Sequence, residues 1–153
     1  MNLTIPHAHV CRNNNYTMEK EAEKEIKRLY KGAIHHLKMR AELFAVYRVF
    51  SGRLNKHSIK DFKTKNKLMQ LCHNYQTIGK YKTKKFANEI IEIACKLSNE
   101  ERLTKKYSMQ CGKLLREAHE HFKKANAHTR KIMRINPNWI GLEKLREIKN
   151  NNP

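Results

Sequence analysis

Residues 17–52 read TMEKEAEKEIKRLYKGAIHHLKMRAELFAVYRVFSG, and the spacing within them decides the fold class. Apolar residues recur at Ala22, Ile26, Leu29, Ala33, Leu37, Ala41 and Phe44, in steps of three and four that hold one face of a helix. Thr17 reads as the N-cap, and Glu19, Glu21, Glu23 and Glu25 follow where carboxylates favour the positive end of the helix dipole. Past Ala41 the pattern widens to Leu43, Val46, Tyr47, Val49 and Phe50, which predicts deeper burial at that end. Ser51-Gly52 then supplies a C-terminal stop.

The same period continues on the C-terminal side. Ser58 with Asp61 three residues on is a variant of the capping box, and Ile59, Phe62, Met69, Cys72 and Tyr75 form the stripe of a second helix that ends at Ile78-Gly79. A third helix runs from about Thr83 through Phe86, Ala87, Ile90, Ile91, Ala94 and Leu97. Ser98-Asn99-Glu100-Glu101 is a full capping box and opens a fourth, with Leu103, Tyr107, Cys111, Leu114, Ala118, Phe122, Ala125 and Ile132 in its stripe. Asn136-Pro137 ends it, because proline has no amide donor and restricts the residue before it. Trp139, Leu142, Leu145 and Ile148 suggest a short closing helix before a polar tail from Asn150. No run alternates as a strand does. The expected fold is all-α, an elongated antiparallel four-helix bundle with a short extra C-terminal helix. The expected organisation is a flexible N-terminal segment over 1–17, the bundle over 18–135, and the C-terminal helix and polar tail over 136–153.

Composition narrows the function. With 153 residues and 39% apolar content the chain can fill a core without disulfide staples. Its four cysteines are dispersed, and Cys95 and Cys111 fall in apolar patterns, so reduced core thiols and a cytoplasmic, reducing compartment are expected. The apolar run Leu43–Tyr47 is far short of the ~20 residues that cross a bilayer. Residues 1–17 have no basic segment leading into an apolar stretch, so they do not read as a secretory signal.

Charge departs furthest from the ordinary: 33 Lys and Arg against 14 Asp and Glu leave +19. Segments 53–85 and 102–134 hold +9 and +8 of it, with 20 basic groups and 3 acids between them. Such a surplus repels itself unless a polyanion binds. Nucleic acid fits, because a row of cations on phosphates releases condensed counterions. Lys outnumbers Arg 23 to 10, which favours phosphate contact over the reading of base edges. The residues expected on that surface are Lys60, Lys63, Lys67, Tyr81, Lys84, Lys85, Arg116, Lys123 and Lys124. Tyr81 stands between lysines with no place in a stripe, where it could stack on an unpaired base, and this favours RNA slightly over DNA. The reading is a non-enzymatic, weakly sequence-specific binding protein, an accessory subunit of a nucleoprotein complex or a homo-oligomer. The alternative partner is an acidic protein or an anionic membrane surface.

Two patterns bear on chemistry. His7, His9 and Cys11 alternate and have ligand types that suit zinc, but no fourth ligand is near and the spacing matches no common finger. Arg116-Glu-Ala-His-Glu-His121 resembles the Arg-x4–6-His motif of HEPN-type ribonucleases, which are also helical bundles. The resemblance implies metal-independent RNA cleavage, with His121 exchanging a proton and Arg116 holding the phosphate. Arg28 and His35 fit the same loose spacing, and five residues on a continuous helix separate two side chains by about 140°. His35, His36 and His119 read as helix-face residues or as further phosphate contacts when protonated. There is no Gly-rich phosphate loop and no Cys-x-x-Cys pair, and no cofactor or metal is expected.

Overall fold

The computed structural model describes residues 10–151, with side chains from residue 17 onward. Among the described residues three helices form, α1 (Val10–Thr77), α2 (Lys84–Ile135) and the short α3 (Gly141–Asn151), so two long helices stand where a four-helix bundle was expected, followed by the short C-terminal helix. The anticipated stops at Ser51-Gly52 and Ser98–Glu101 do not act. A glycine inside a helix costs only about 1 kcal/mol relative to alanine, and flanking turns that pack on a partner helix outweigh it. Ser98–Glu101 lies within α2, where the backbone is already paired along the helix, and Glu100 beside the box is bonded across the seam to His57. Thr17 likewise lies inside α1, which begins at Val10. The break that does form is Ile78–Thr83, with a 3-10 turn over Gly79–Tyr81 and Thr83 as the cap, its Oγ1 accepting the Phe86 amide at 3.2 Å.

The helices are shared between two compact units, Met1–Glu42 with Ala118–Pro153, and Leu43–Glu117. In the first, α3 closes over the α1–α2 pair. Ile26, Leu29, Ala33 and Leu37 of α1 pack with Ala125 and Ile132 of α2 and with Leu142 and Leu145 of α3. Ala33 and Ala125 are fully buried, and their small size lets the two helices approach. Thr129 is the buried polar residue here, and its hydroxyl donates to the Ala125 carbonyl at 2.9 Å. Asn136–Asn138 make the turn into α3, with the Asn138 amide donating to Asn136 Oδ1 at 3.1 Å. Trp139 then meets Tyr30 edge-on, with ring centroids 5.1 Å apart.

In the second unit a 3-4 periodic seam runs between the antiparallel helices. Its half-buried positions on α1 include Tyr47, Phe50, Leu54, His57, Asp61, Thr64, Leu68, Leu71 and Tyr75, in steps of three and four. Opposite them stand Phe86, Ile90, Ile93, Leu97, Glu100, Thr104, Tyr107 and Cys111. A 3-4 alternation of this kind is the seam of an antiparallel coiled coil. It is not the stripe expected from apolarity: Ile59, Phe62 and Met69 are 57%, 65% and 64% exposed, while His57, Asp61 and Thr64 take the seam. Cys95, expected in the core, is exposed, whereas Cys111 is buried.

Gly141 is required by a close approach, not by backbone freedom. A Cβ at this position would collide with the Trp139 ring. Alanine in place of glycine near the start of a helix ordinarily stabilises it by up to about 1 kcal/mol. Here Gly141→Ala is expected to lower the urea midpoint by displacing Trp139 from Tyr30, and an unchanged or raised midpoint would contradict the packing described.

Candidate nucleic-acid interface

The basic side of the second unit is fixed by the seam. Residues one place before a seam position meet on one side: Lys67 precedes Leu68, Glu89 precedes Ile90, and Lys67 Nζ lies 3.6 Å from Glu89 Oε1. Lys60 and Lys96 occupy the same side and both approach Glu100. Arg53, Lys56, Lys60, Lys63 and Lys67 follow in steps of three and four, so five exposed cations line one edge of α1 over about 21 Å. Among the described residues only Lys67 of these five makes an ion pair. The unit carries 17 Lys and Arg against 6 Asp and Glu, a net of +11.

The other expected contacts distribute differently. Lys85 falls on the same side as the edge, beside Asn88, Glu89 and Glu92. Lys84 precedes Ile91 by one seven-residue repeat and falls on the opposite side. Tyr81 is half-buried in the turn, its ring tilted on Phe86 at 4.8 Å with Lys80 Nζ 5.1 Å above it. Tyr75 stacks on the same Phe86, so the aromatic group closes the end of the hairpin. Arg116 is exposed on the side of α2 away from the seam, and Lys123 and Lys124 belong to the other compact unit, where Lys123 pairs with Glu120 at 3.0 Å.

Two polar clusters inside the seams were not legible as clusters. In the second unit His57 Nδ1 lies 2.8 Å from Glu100 Oε2 and its ring stacks on Tyr107. The hydrogen bond from His57 holds the Glu100 carboxyl below the usual carboxylate range, against the cost of burial, with His57, Lys60 and Lys96 charges adding to the effect. Asp61 Oδ1 and Thr104 Oγ1 are buried nearby in the seam without hydrogen-bond partners.

In the first unit His36 Nδ1 lies 2.9 Å from His121 Nδ1, and the His36 ring stacks on His128 with centroids 5.6 Å apart. His128 also fills the space against Gly32, and its Nδ1 is buried without a partner. The one available signal was register, since His121 and His128 are seven apart. His121, the acid–base residue of the ribonuclease resemblance, is thus bonded to another imidazole, and Arg28 of the second match chelates Glu25 with two bonds of 2.7 Å. His7, His9 and the Cys11 side chain lie outside the described residues. Among the described residues no three His, Cys, Asp or Glu side chains are arranged to hold a metal ion, and no helix is long and apolar enough to cross a membrane.

Burial is the main cause that lowers the His36 pKa below the usual 6.5, followed by charge repulsion from His121, His35, His128 and Lys124. The folded chain therefore prefers the neutral imidazole. Its contribution is present above pH 6.5 and is lost as pH falls through the lower folded value, because the unfolded state binds the proton more readily. The urea midpoint should drop from pH 7.5 to pH 5, and His36→Leu should flatten that drop; an equal slope in the variant excludes the cluster as its source. No protein-family model, curated protein or solved structure matches this chain significantly, so its function has to be read from this geometry.

Proposed function

We propose that the chain is a non-enzymatic nucleic-acid-binding protein that contacts phosphates through the α1 edge Arg53, Lys56, Lys60, Lys63 and Lys67, with Lys85 at the turn. The observation that carries this reading is the row itself: five exposed cations at helical spacing, of which Lys67 alone is ion-paired among the described residues. A solvated helix surface ordinarily interleaves signs so that i,i+4 pairs limit repulsion. Along 53–67 the one acid is Asp61, which is turned into the seam and cannot serve that purpose.

Phosphodiester contact fits the ammonium groups, which are point charges without the planar fork that reads guanine edges. Tyr81 is committed to Phe86, so the edge rather than base stacking supplies the affinity, and structured RNA and duplex DNA are both suitable ligands. Arg116, Lys123 and Lys124 add long-range attraction to the encounter and are not part of the row.

Binding of a labelled RNA hairpin and a DNA duplex should weaken steeply with salt. The triple charge reversal Lys56→Glu, Lys60→Glu and Lys63→Glu should weaken both, and on B-DNA it should lower the slope of log K against log salt by about 0.9 for each phosphate that is no longer neutralised. Arg116→Glu should have a smaller effect. Affinity that is independent of salt, or equal weakening by the triple variant and by Arg116→Glu, would falsify the assignment.

A further inference from the structure

Toward the turn, the side of the second unit opposite the basic edge carries exposed apolar residues that nothing covers. Residues one place after seam positions meet there: Phe62 follows Asp61, Met69 follows Leu68, Cys72 follows Leu71, Ala87 follows Phe86, and Ile91 follows Ile90. Phe62, Met69 and Ile91 are 65%, 64% and 60% exposed. Between the two helices Cys72, Tyr75, Gln76, Ala87, Ile90 and Ile91 line a hollow of about 290 Å³. The seam beneath is incomplete as a core, because Cys111, still 6% exposed, is the one buried hydrophobic residue of this unit. Two helices cannot bury both their shared seam and a second stripe, and a third layer is the ordinary remedy.

We infer that this side docks an amphipathic helix of a partner protein, with apolar residues repeating at three and four and acidic residues flanking them. The flanks decide the sign. Lys65 stands between Phe62 and Met69 on the same side, and Lys84 lies one repeat before Ile91. The unit behind them carries a net of +11. A second copy of this chain would bring +11 against +11, whereas acidic flanks are attracted by the same field. The apolar repeat gives the occupant its register, as in a three-stranded coiled coil. This surface is distinct from the basic edge, so a nucleic acid and a helical partner can be held on opposite sides.

The test uses the full chain and three labelled synthetic helices of equal length. One has leucines at 3-4 spacing flanked by Glu, one has the same leucines flanked by Lys, and one has the Glu composition with its leucines scrambled. At physiological salt the Glu-flanked amphipathic helix alone should raise fluorescence anisotropy on binding. The exposed double variant Phe62→Ser, Met69→Ser, with its helical circular dichroism intact, should weaken that binding by about tenfold or more. Lys60→Gln with Lys63→Gln on the other side should change it by less than about threefold. Equal binding of the scrambled helix, equal binding of the Lys-flanked helix, or an unchanged affinity of the Phe62/Met69 variant overturns the inference. So does sedimentation showing a dimer that Phe62→Ser dissociates, since a second copy then covers the face.

Discussion

The register in which α1 lies against α2 is the constraint on which the second unit depends, and a polar contact sets it. His57 and Glu100 meet at 2.8 Å in the middle of an otherwise repetitive seam. A slip of seven residues one way would set Glu100 against Phe50 and His57 against Ile93; the other way, it would set Glu100 against Thr64 and His57 against Tyr107. Either slip leaves the Glu100 carboxylate in the seam without the imidazole that hydrogen-bonds it, and a buried polar group that loses its partner is costly. An apolar seam of the same period would be more stable and less selective.

From that register the two sides of the unit follow. At Asp61 and Leu68 the two flanking neighbours have opposite characters: Lys60 and Lys67 stand before them, Phe62 and Met69 after them. Lysine keeps its ammonium in water with its stem laid on the helix, so the basic edge carries no desolvation cost. Phe62 and Met69 have no such option and stand in solvent at a cost that burial would remove. The asymmetry therefore links a surface that suits phosphate to one that suits an apolar helix.

The apolar core of the first unit is legible in the sequence and the seam of the second is not, for a physical reason. Ile26, Leu29, Ala33, Leu37, Ala118, Ala125, Ile132, Leu142 and Leu145 were all placed on inward stripes by periodicity, and all are buried. There the core is apolar, so hydrophobicity and burial coincide. Between Leu54 and Leu68 they diverge: the inward positions are His57, Asp61 and Thr64, while apolar residues occupy the outer face. Apolarity then picks the wrong stripe, and only the unbroken 3-4 spacing of the whole helix marks the right one. Helix ends mislead for a related reason: Ser51-Gly52 and Ser98–Glu101 are stops only where nothing packs against the next turn. Of the surface residues, Lys60, Lys63 and Lys67 share one side of α1, whereas the distribution of Lys84, Arg116, Lys123 and Lys124 follows from which helices continue.

The short turn at Gly79–Tyr81 also shapes how the paired contacts can accumulate. Tyr75 and Phe86 are 11 apart in the sequence, His57 and Glu100 are 43 apart, and His36 and His121 are 85 apart. Closing the widest of these directly in a free chain carries the full chain-entropy penalty, which grows by about 0.6 kcal/mol for each doubling of length. Once the aromatic residues at the tip have met, each pair farther from it encloses only the few residues beyond its predecessor. Pairing that proceeds outward from the tip thus meets no large entropic step, and long-range contacts are reached by a sequence of local ones.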